Sequence, residues 1–286
     1  MAILGAHMSI AGGYYKAVEI ARECTCDCVQ VFTKNNNQWR AKPITADDEQ
    51  RFADAMQRLG IGHPTSHASY LINLASPDDE LWKKSIDAMV VELQRAHLLG
   101  IPYVVVHPGS YTTSSEQDGL SRVVQGVDET LAQTSDIDTT ILLENTAGQG
   151  SNLGWQFEHL GTILSGVRNP DRVAVCFDTC HALAAGYPLA EPKQYKATMK
   201  SLDDTVGLSL VKAFHLNDSK RELGSRVDRH EHIGHGHLGL EPFRNLLNDR
   251  RFRQVPMYLE TPKEKHPDSG EEWDVVNLRT LRSLIR

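Results

Sequence analysis

The segment VAVCFD at positions 173–178 is a short apolar run that contains β-branched residues and ends on a carboxylate. Seven similar runs recur along the chain every 26 to 45 residues: ILGAH (3–7), VQVFT (29–33), PTSH (64–67), YVVVH (103–107), TILLE (140–144), VKAFH (211–215) and PMYLE (256–260). A longer helical or loop segment follows each run. Eight such units predict an α/β fold, a single (β/α)₈ TIM barrel, with the active site at the C-terminal ends of the strands.

Some of the segments between these runs carry helix signals. TADD at 45–48 has a threonine cap and an acidic first turn, and Gly60 closes that helix. Ser76, which precedes a proline, is predicted to open a second helix that Gly100 ends. A last helix is predicted over 271–286, where apolar residues recur at helical spacing.

The composition is that of one ordinary globular domain. The chain has 286 residues, of which 40% are hydrophobic and 23% charged, and no linker interrupts it, so we expect a single domain over 1–286. No apolar stretch approaches the roughly 18 residues that span a bilayer. The first run begins two residues after Met1, which leaves no room for a signal peptide. These features predict a cytoplasmic protein with no membrane partner.

The cysteines are not expected to bind metal or form disulfides. Their number, five, is odd for a disulfide framework and favours free thiols. Those at positions 24, 26 and 28 are separated by single residues, whereas structural zinc sites use gaps of about two to four. We expect this segment to be a helix end that leads into the second strand.

A set of histidines and carboxylates, most of them at the ends of the runs, has the chemistry of a metal centre. Imidazole and carboxylate ligands without thiolates suit Zn²⁺ or Mn²⁺ in open, catalytic coordination. A single strand-end histidine is at least as often a packing residue, but a whole set is harder to explain, because buried carboxylates without partners are costly. The candidate ligands are His67, His107, Glu144, Asp178, His181, His215, Asp228, His230 and Glu260.

Two spacings refine this set. Asp178 ends a run and His181 follows about one turn later, so the two could serve different ions. Asp228 and His230 are two residues apart, and in an extended segment both side chains point the same way and could hold one ion.

The net charge of −7 does not identify a partner. Nucleic-acid-binding proteins usually have a basic footprint, which this chain lacks. Three divalent ions would add six positive charges and bring the total to about −1, with the positive charge concentrated at the site.

With these residues in place, the chain resembles the endonuclease IV family, the zinc-dependent apurinic/apyrimidinic endonucleases of DNA base-excision repair. The resemblance covers essentially the whole chain, and all nine metal ligands of the family have a matching residue. It rests on the ordered motifs GAH (5–7), FTKN (32–35), SYLINL (69–74), HPGS (107–110), ENTAGQGSNLG (144–154), DTCHA (178–182), HLND (215–218) and GSRVDRH (224–230).

The resemblance implies three Zn²⁺ ions, one of which could be Mn²⁺ in the cell. Of the nine candidate ligands, the pair His67 and His107 would hold the first ion, and Glu144 would bridge it to the second. The second site would be completed by Asp178, His215 and Glu260, and the third ion would be held by His181, Asp228 and His230.

The implied reaction is hydrolysis of the phosphodiester 5′ to an abasic site in duplex DNA. A metal-bound hydroxide would attack phosphorus and leave a 3′-hydroxyl and a 5′-deoxyribose phosphate. Glu144 and Glu260 would be the catalytic carboxylates, and Glu260 would orient or deprotonate the nucleophile. A 3′-end phosphodiesterase side activity, a monomeric state and the absence of an obligatory protein partner are also expected.

The resemblance also implies DNA contacts from the loops. Tyr70 and Leu71 match the wedge that the family inserts into bent DNA, whereas Ile72 and Leu74 are expected to pack on the barrel rim as part of a short helix. Where the family often has an arginine, this chain has Asn37, which can hydrogen-bond but cannot stack as a guanidinium does. Lys34 is a further candidate DNA contact, and Arg40 could help it to compensate.

Two other functions remain open at this point. A one-metal sugar isomerase or epimerase on the same barrel would need only Glu144, Asp178, His215 and Glu260, so the five other ligands favour the nuclease. A non-catalytic protein that binds damaged DNA would be expected to have a broken ligand set, and this set is complete.

Overall fold

The computed structural model describes residues 2–286 and is built around a barrel of parallel strands. The barrel strands are β1 (Ile3–Met8), β2 (Cys28–Phe32), β3 (Gly62–His67), β4 (Tyr103–Val106), β5 (Thr140–Glu144), β6 (Val173–Asp178), β7 (Val211–His215) and β10 (Pro256–Leu259). They close in the order β1-β10-β7-β6-β5-β4-β3-β2, which confirms the predicted TIM barrel. A separate antiparallel pair consists of β8 (Asp218–Ser219) and β9 (His230–Glu231).

Helices follow the barrel strands and cover the outside of the barrel. They are α1 (Tyr14–Glu23), α2 (Ala46–Leu59), α3 (Asp79–Leu98), α4 (Glu116–Gln133), α5 (Phe157–Gly166), α6 (Thr179–Ala185), α7 (Pro192–Thr205), α8 (Glu241–Leu247) and α9 (Trp273–Ser283). Within residues 2–286, no helix combines the length and the apolar character needed to cross a membrane.

The helix boundaries agree with the sequence at α2 and differ at α3 and α9. The Thr45 side chain caps α2, and Gly60 ends it with a left-handed φ of 64°. The predicted start of α3 at Ser76 was wrong, because the Asp78 carboxylate accepts from two backbone N–H groups of the first turn and begins the helix there. Helix α9 is shorter at both ends than the predicted 271–286.

The lower part of the barrel is filled by side chains. Tyr258 is fully buried there, and its hydroxyl donates to the His63 carbonyl (2.7 Å) and accepts from the Thr65 hydroxyl (2.7 Å). Gly5 on β1 allows a close approach to β2, since a Cβ at this position would lie 1.9 Å from the Cys28 carbonyl oxygen. The inner cluster consists of Cys28, Val105, Leu142, Ala174, Cys176, Ala213 and Tyr258.

All five cysteines are buried and free, as predicted. None of Cys24, Cys26 and Cys28 belongs to a metal-compatible cluster among the described residues. The short helix predicted around Ile72 and Leu74 is a series of turns instead, although both side chains are buried as expected.

Candidate metal centre at the mouth of the barrel

The structure brings all nine predicted ligands together at the C-terminal end of the barrel. Six of them end a strand or directly follow one, and His181 lies in the first turn of α6. The other two, Asp228 and His230, come from the segment that leads into and forms β9. Three of the metal-compatible groups among residues 2–286 are His67–His107–Glu144, Glu144–Asp178–His215–Glu260 and Asp178–His181–His230.

Glu144 lies between the first two groups and is completely buried. Its Oε2 is 3.3 Å from His67 Nε2 and 3.1 Å from His107 Nε2. Its Oε1 faces the other way and is 2.9 Å from His215 Nδ1. The two carboxylate oxygens therefore point at different ligand groups, as a bridging ligand requires.

Asp178 relates the second group to the third. Its Oδ2 is 3.9 Å from His215 Nδ1 and 3.9 Å from His230 Nε2. Asp228 then contacts both histidines of the third group, with distances of 3.1 Å to His181 Nε2 and 3.3 Å to His230 Nε2. Asp228 therefore lies between the two histidines of the third group, with one carboxylate oxygen against each, and Asp178 lies beside them.

The histidine side chains are oriented as metal ligands are. The Nδ1 of His67 donates to the Ala68 carbonyl (2.7 Å), and that of His181 donates to the Asn145 carbonyl (2.9 Å), which leaves Nε2 facing the cluster. The Nε2 atoms of His181 and His230 are buried and make no well-aligned hydrogen bond within residues 2–286, although the Asp228 carboxylate lies 3.1 and 3.3 Å away. A metal ion bound by the two nitrogens and the carboxylate would satisfy all three groups better than these contacts do.

The close packing of these groups shifts their pKa values. Burial alone would raise the pKa of Glu144, but His215 and His107 hold it well below its usual range. Burial alone would lower the pKa of His181, but Asp178 and Asp228 raise it well above its usual value. In the absence of metal the cluster is therefore a set of ion pairs whose histidine protons a metal must displace.

Cys180 lies close enough to Asp228 and His230 to form one further metal-compatible group. Burial raises the pKa of its thiol to about 12, and the thiol donates to the Arg229 carbonyl at 3.7 Å. A neutral thiol is a poor ligand, so the carboxylate and imidazole set remains the better candidate.

Two asparagines that the sequence analysis did not single out hold the ligands in place. Asn217 donates to Asp178 Oδ2 (2.7 Å) and accepts from the Glu260 backbone N–H (2.8 Å). Asn145 accepts from the Asp178 backbone N–H (2.7 Å). Each asparagine lies one or two residues after a ligand in the motifs ENT and HLN, and that position was the available signal.

The segment that carries Asp228 and His230 is fixed to the barrel by the β8–β9 pair, in which His230 lies opposite Ser219. The buried Asp218 carboxylate accepts from three backbone N–H groups of the following loop, those of Gly234, Gly236 and Leu238, at 2.9 to 3.0 Å. These bonds give an otherwise irregular segment a defined position over the barrel.

A cleft of about 410 Å³ opens over the centre. Tyr70 is 57% exposed at its edge, and its ring lies 5.2 Å from that of His67 and 6.0 Å from that of His107. Leu71 beside it is partly buried. The cleft is lined by Tyr70, His107, His181, Asp228, Arg229, His230 and Glu260.

The loop after β2 places its predicted DNA contacts differently. Asn37 and Arg40 are exposed, whereas Lys34 is only 5% exposed. The Lys34 ammonium lies 3.3 Å from Glu92 and donates to the Gln38 carbonyl at 2.8 Å. Lys34 therefore pairs with an internal carboxylate, and a DNA contact is not supported by its position.

Glu92 on α3 joins this loop to the one that carries Tyr70. Its carboxylate accepts from the Thr33 hydroxyl (2.8 Å) and from the Ser69 backbone N–H (3.2 Å). Ser69 in turn donates to the Asn36 carbonyl at 2.5 Å. The two loops are thus fastened to each other and to a helix of the outer ring.

Comparison with known proteins identifies the family. Residues 18–284 match the xylose isomerase-like TIM barrel family. The chain is 48% identical over 285 residues to "Probable endonuclease 4" of Citrifermentans bemidjiense, covering 100% of this chain and 99% of that protein. It is 50% identical to the protein of the same name from Chloroflexus aggregans, covering 99% and 97%. The chain belongs to the endonuclease IV family.

Solved structures agree with this assignment. Endonuclease IV from Thermus thermophilus superposes with a TM-score of 0.85 at 37% identity, over 98% of each chain. A D-tagatose 3-epimerase-like protein has a TM-score of 0.73 at 18% identity, over 98% of this chain and 96% of that one, and shows the shared fold alone. Membership of the endonuclease IV family confirms the predicted family and the prediction of a nuclease.

Proposed function

We propose that this chain is a DNA repair endonuclease that hydrolyses the phosphodiester 5′ to abasic sites in duplex DNA. The observation that carries the proposal is the joint presence of three ligand groups that share Glu144 and Asp178 at one barrel mouth. A one-metal isomerase would use only the group of Glu144, Asp178, His215 and Glu260. In such an isomerase the imidazoles of His67, His107, His181 and His230 would not be metal ligands.

The residues present fit three zinc ions, or two with one manganese. The first would be held by His67, His107 and Glu144, and the third by His181, Asp228 and His230. Between them, Glu144, Asp178, His215 and Glu260 would hold the second. When bound, the ions would supply Lewis acidity that activates water and neutralises charge on the phosphate.

The catalytic roles that we propose for the two glutamates follow from the atoms they present. Glu144 directs one oxygen to each of two ligand groups and would be a ligand shared by both. Glu260 directs Oε2 into the second group, 3.1 Å from His215 Nδ1, at the edge of the cleft. It would orient the attacking water or take its proton while the water oxygen forms a new bond to phosphorus and the P–O3′ bond breaks. The departing 3′ oxygen would take up a proton, from Glu260 or from solvent water, to become the 3′-hydroxyl.

Recognition of the lesion would come from the loops. Tyr70, exposed beside the cleft, and Leu71 would enter the duplex at the position of the missing base. An abasic nucleotide turns out of the helix at low cost, because it has little stacking to lose. Asn37, exposed on the neighbouring loop, would contact the same duplex by hydrogen bonds alone.

The remaining expectations extend this proposal. The enzyme would act as a single-domain monomer in the cytoplasm, at the nucleoid, without an obligatory protein partner. It would also remove blocking groups from 3′ ends, since the same centre could bind a terminal phosphodiester.

The test is a duplex with one tetrahydrofuran abasic analogue, incubated with the protein before and after chelation. The analogue cannot undergo β-elimination, so a nick on its 5′ side with an extendable 3′-hydroxyl must come from hydrolysis. We expect this nick, its loss on chelation, and its recovery with Zn²⁺ or Mn²⁺.

Two histidine variants provide the matched control. His107→Ala removes a ligand and should abolish most of the nicking, whereas His97→Ala removes an exposed ring on α3 and should not. Equal effects of the two substitutions, or nicking by the metal-free protein, would contradict the proposal.

A further inference from the structure

We propose that Gln30 is a positioning residue that sets both the ligand nitrogen of His215 and the ligand oxygen of Glu260. The inference rests on the metal-dependent function proposed above. Gln30 lies on β2, inside the barrel, and is completely buried. Burial of a primary amide is unfavourable unless its donors and its acceptor are satisfied. The contacts of this amide are therefore informative.

The amide contacts two of the proposed metal ligands at once. Its Oε1 accepts from His215 Nε2 at 2.8 Å. Its Nε2 donates to Glu260 Oε1 at 2.6 Å. His215 ends β7 and Glu260 directly follows β10, two neighbouring strands. The Gln30 side chain on β2 reaches both of them across the barrel interior.

These contacts leave one atom of each ligand for the metal. Because an amide oxygen can only accept, His215 must carry a proton on Nε2, and its Nδ1 remains directed at Glu144 and Glu260. Because Oε1 of Glu260 is occupied by Gln30, its Oε2 is the oxygen that faces His215 Nδ1. Gln30 thus favours Nδ1 ligation by His215 and coordination by a single oxygen of Glu260.

His7 fixes the orientation of the amide from a third side. Gln30 Nε2 lies 3.0 Å from His7 Nδ1, which accepts a hydrogen bond from the second N–H of the amide. A flipped amide would place its oxygen against both the Glu260 carboxylate and this ring nitrogen. The observed orientation is the one in which every contact joins a donor to an acceptor.

Side chains of similar size cannot reproduce this set of contacts. Methionine fills a comparable volume but offers neither a strong donor nor a strong acceptor. Asparagine keeps the amide but is shorter by one methylene, so it cannot reach both ligands. The amide of glutamine combines one acceptor and two donors at the required reach.

The experiment compares Gln30→Met with Thr65→Val as a matched control. Thr65 is the register partner of Gln30 on β3 and is equally buried, but its hydroxyl bonds to Tyr258 in the lower barrel and contacts no ligand. Metal-free wild-type and variant proteins are titrated with Zn²⁺ in competition with a chelator. We expect Gln30→Met to bind one equivalent roughly 10–100-fold more weakly, and Thr65→Val to match the wild type.

Steady-state kinetics with the abasic duplex provide a second measurement. At saturating Zn²⁺, kcat of Gln30→Met should fall while KM stays close to the wild-type value, because Gln30 does not line the cleft that receives DNA. Wild-type zinc affinity in Gln30→Met would overturn the inference. If this variant does not fold, Gln30→Asn replaces it, and zinc affinity equal to that of Thr65→Val would overturn the inference in the same way.

The zinc titration separates this inference from the proposed function, because it needs no DNA. Weakened zinc binding in a protein that never nicks abasic DNA would support the role of Gln30 and refute the endonuclease. Normal nicking by a Gln30→Met protein with normal zinc affinity would do the reverse.

Discussion

The metal ligands and the loops that follow β2 and β3 share one mouth of the barrel, but they are held there in different ways. Most ligands end a strand or directly follow one, and their second atoms are bonded to neighbouring polar groups. The loops carry exposed residues, Tyr70 and Asn37, and are fastened to α3 by buried polar groups, among them the Glu92 carboxylate and the Arg95 guanidinium. The proposed chemistry therefore depends on the barrel, and the proposed recognition depends on buried links to α3.

The largest effect is expected from Glu144→Gln. The change leaves the shape intact but removes the charge that faces two ligand groups, so metal should be lost from both. Nicking activity should fall by more than roughly 100-fold, which is the largest loss expected from mutating a residue that only hydrogen-bonds to a metal ligand. Glu80→Gln, at an exposed carboxylate on α3, should change neither metal content by elemental analysis nor nicking rate. Two retained equivalents of metal in Glu144→Gln would contradict the bridging assignment.

Glu92→Gln should loosen the loops after β2 and β3 without changing the metal centre. The substitution leaves the Lys34 ammonium buried without its counter-charge, which should cost about 3–5 kcal/mol of unfolding free energy. KM for abasic duplex should rise as the two loops loosen, with metal content unchanged. Denaturant unfolding, kinetics and elemental analysis measure the three quantities.

A same-helix control and a double variant test this interpretation. Asp87→Asn, on the exposed side of α3, should stay within about 0.5 kcal/mol of the wild type. Adding Lys34→Met to Glu92→Gln should recover part of the stability, because both buried charges are then gone. Metal loss in Glu92→Gln would show that the two regions are not independent.

The same contrast explains what could be read from the sequence. Residues such as His107 and Asp178 follow apolar runs, and parallel strands of a barrel bring their C-terminal ends together whatever the loops do. The six strand-end candidates could therefore be placed at one mouth of the barrel before the fold was known, whereas the periodicity gave no position for Asp228 and His230. The hydrogen bonds of the two asparagines could not be predicted from periodicity, because Asn217 bonds to residues of other strands that are distant along the chain.

The sequence could not predict which way loop side chains point, or which of two suitable N-cap residues begins a helix. Lys34 follows strand β2 as a DNA contact would, and only the packing of α3 beneath it shows that its ammonium meets Glu92. At the start of α3, Ser76 and Asp78 are both good caps. In the structure Asp78 is the cap, and the Ser76 hydroxyl instead accepts from the Asp78 backbone N–H.

Tyr70→Ala should weaken recognition alone. The exposed ring packs beside His67 and His107 without bonding to them, so the ligands should keep their positions. We expect binding of abasic duplex to weaken by about 1–3 kcal/mol, as for loss of an aromatic stacking partner. Tyr70→Phe, which keeps the ring, should bind like the wild type in fluorescence anisotropy. A loss of bound metal in Tyr70→Ala would be the contrary result.

Acidification should weaken zinc binding. Because the pKa of His181 is raised, its charged form stabilises the metal-free fold below the unfolded value near 6.5, and this contribution is lost as pH rises through the folded pKa. Metal binding requires the neutral ring. The increase in Tm on adding Zn²⁺ should therefore be larger at about pH 8 than at about pH 6. A pH-independent increase would argue against ligation by His181.

Asn37→Arg should give the smallest effect and the finest test of the separation. Asn37 is exposed, and its backbone N–H already bonds to the Asn35 side chain, so a longer side chain can be placed there without disturbing the loop. One added phosphate contact should steepen the dependence of log affinity on log salt by about 0.9 and tighten binding a few-fold at low salt. Asn37→Gln lengthens the side chain without charge and should leave the salt dependence unchanged. The rate of the bound complex should be the same in all three proteins, since the loop touches no ligand. A change in that rate would mean that a residue of the β2 loop reaches the strand-borne centre.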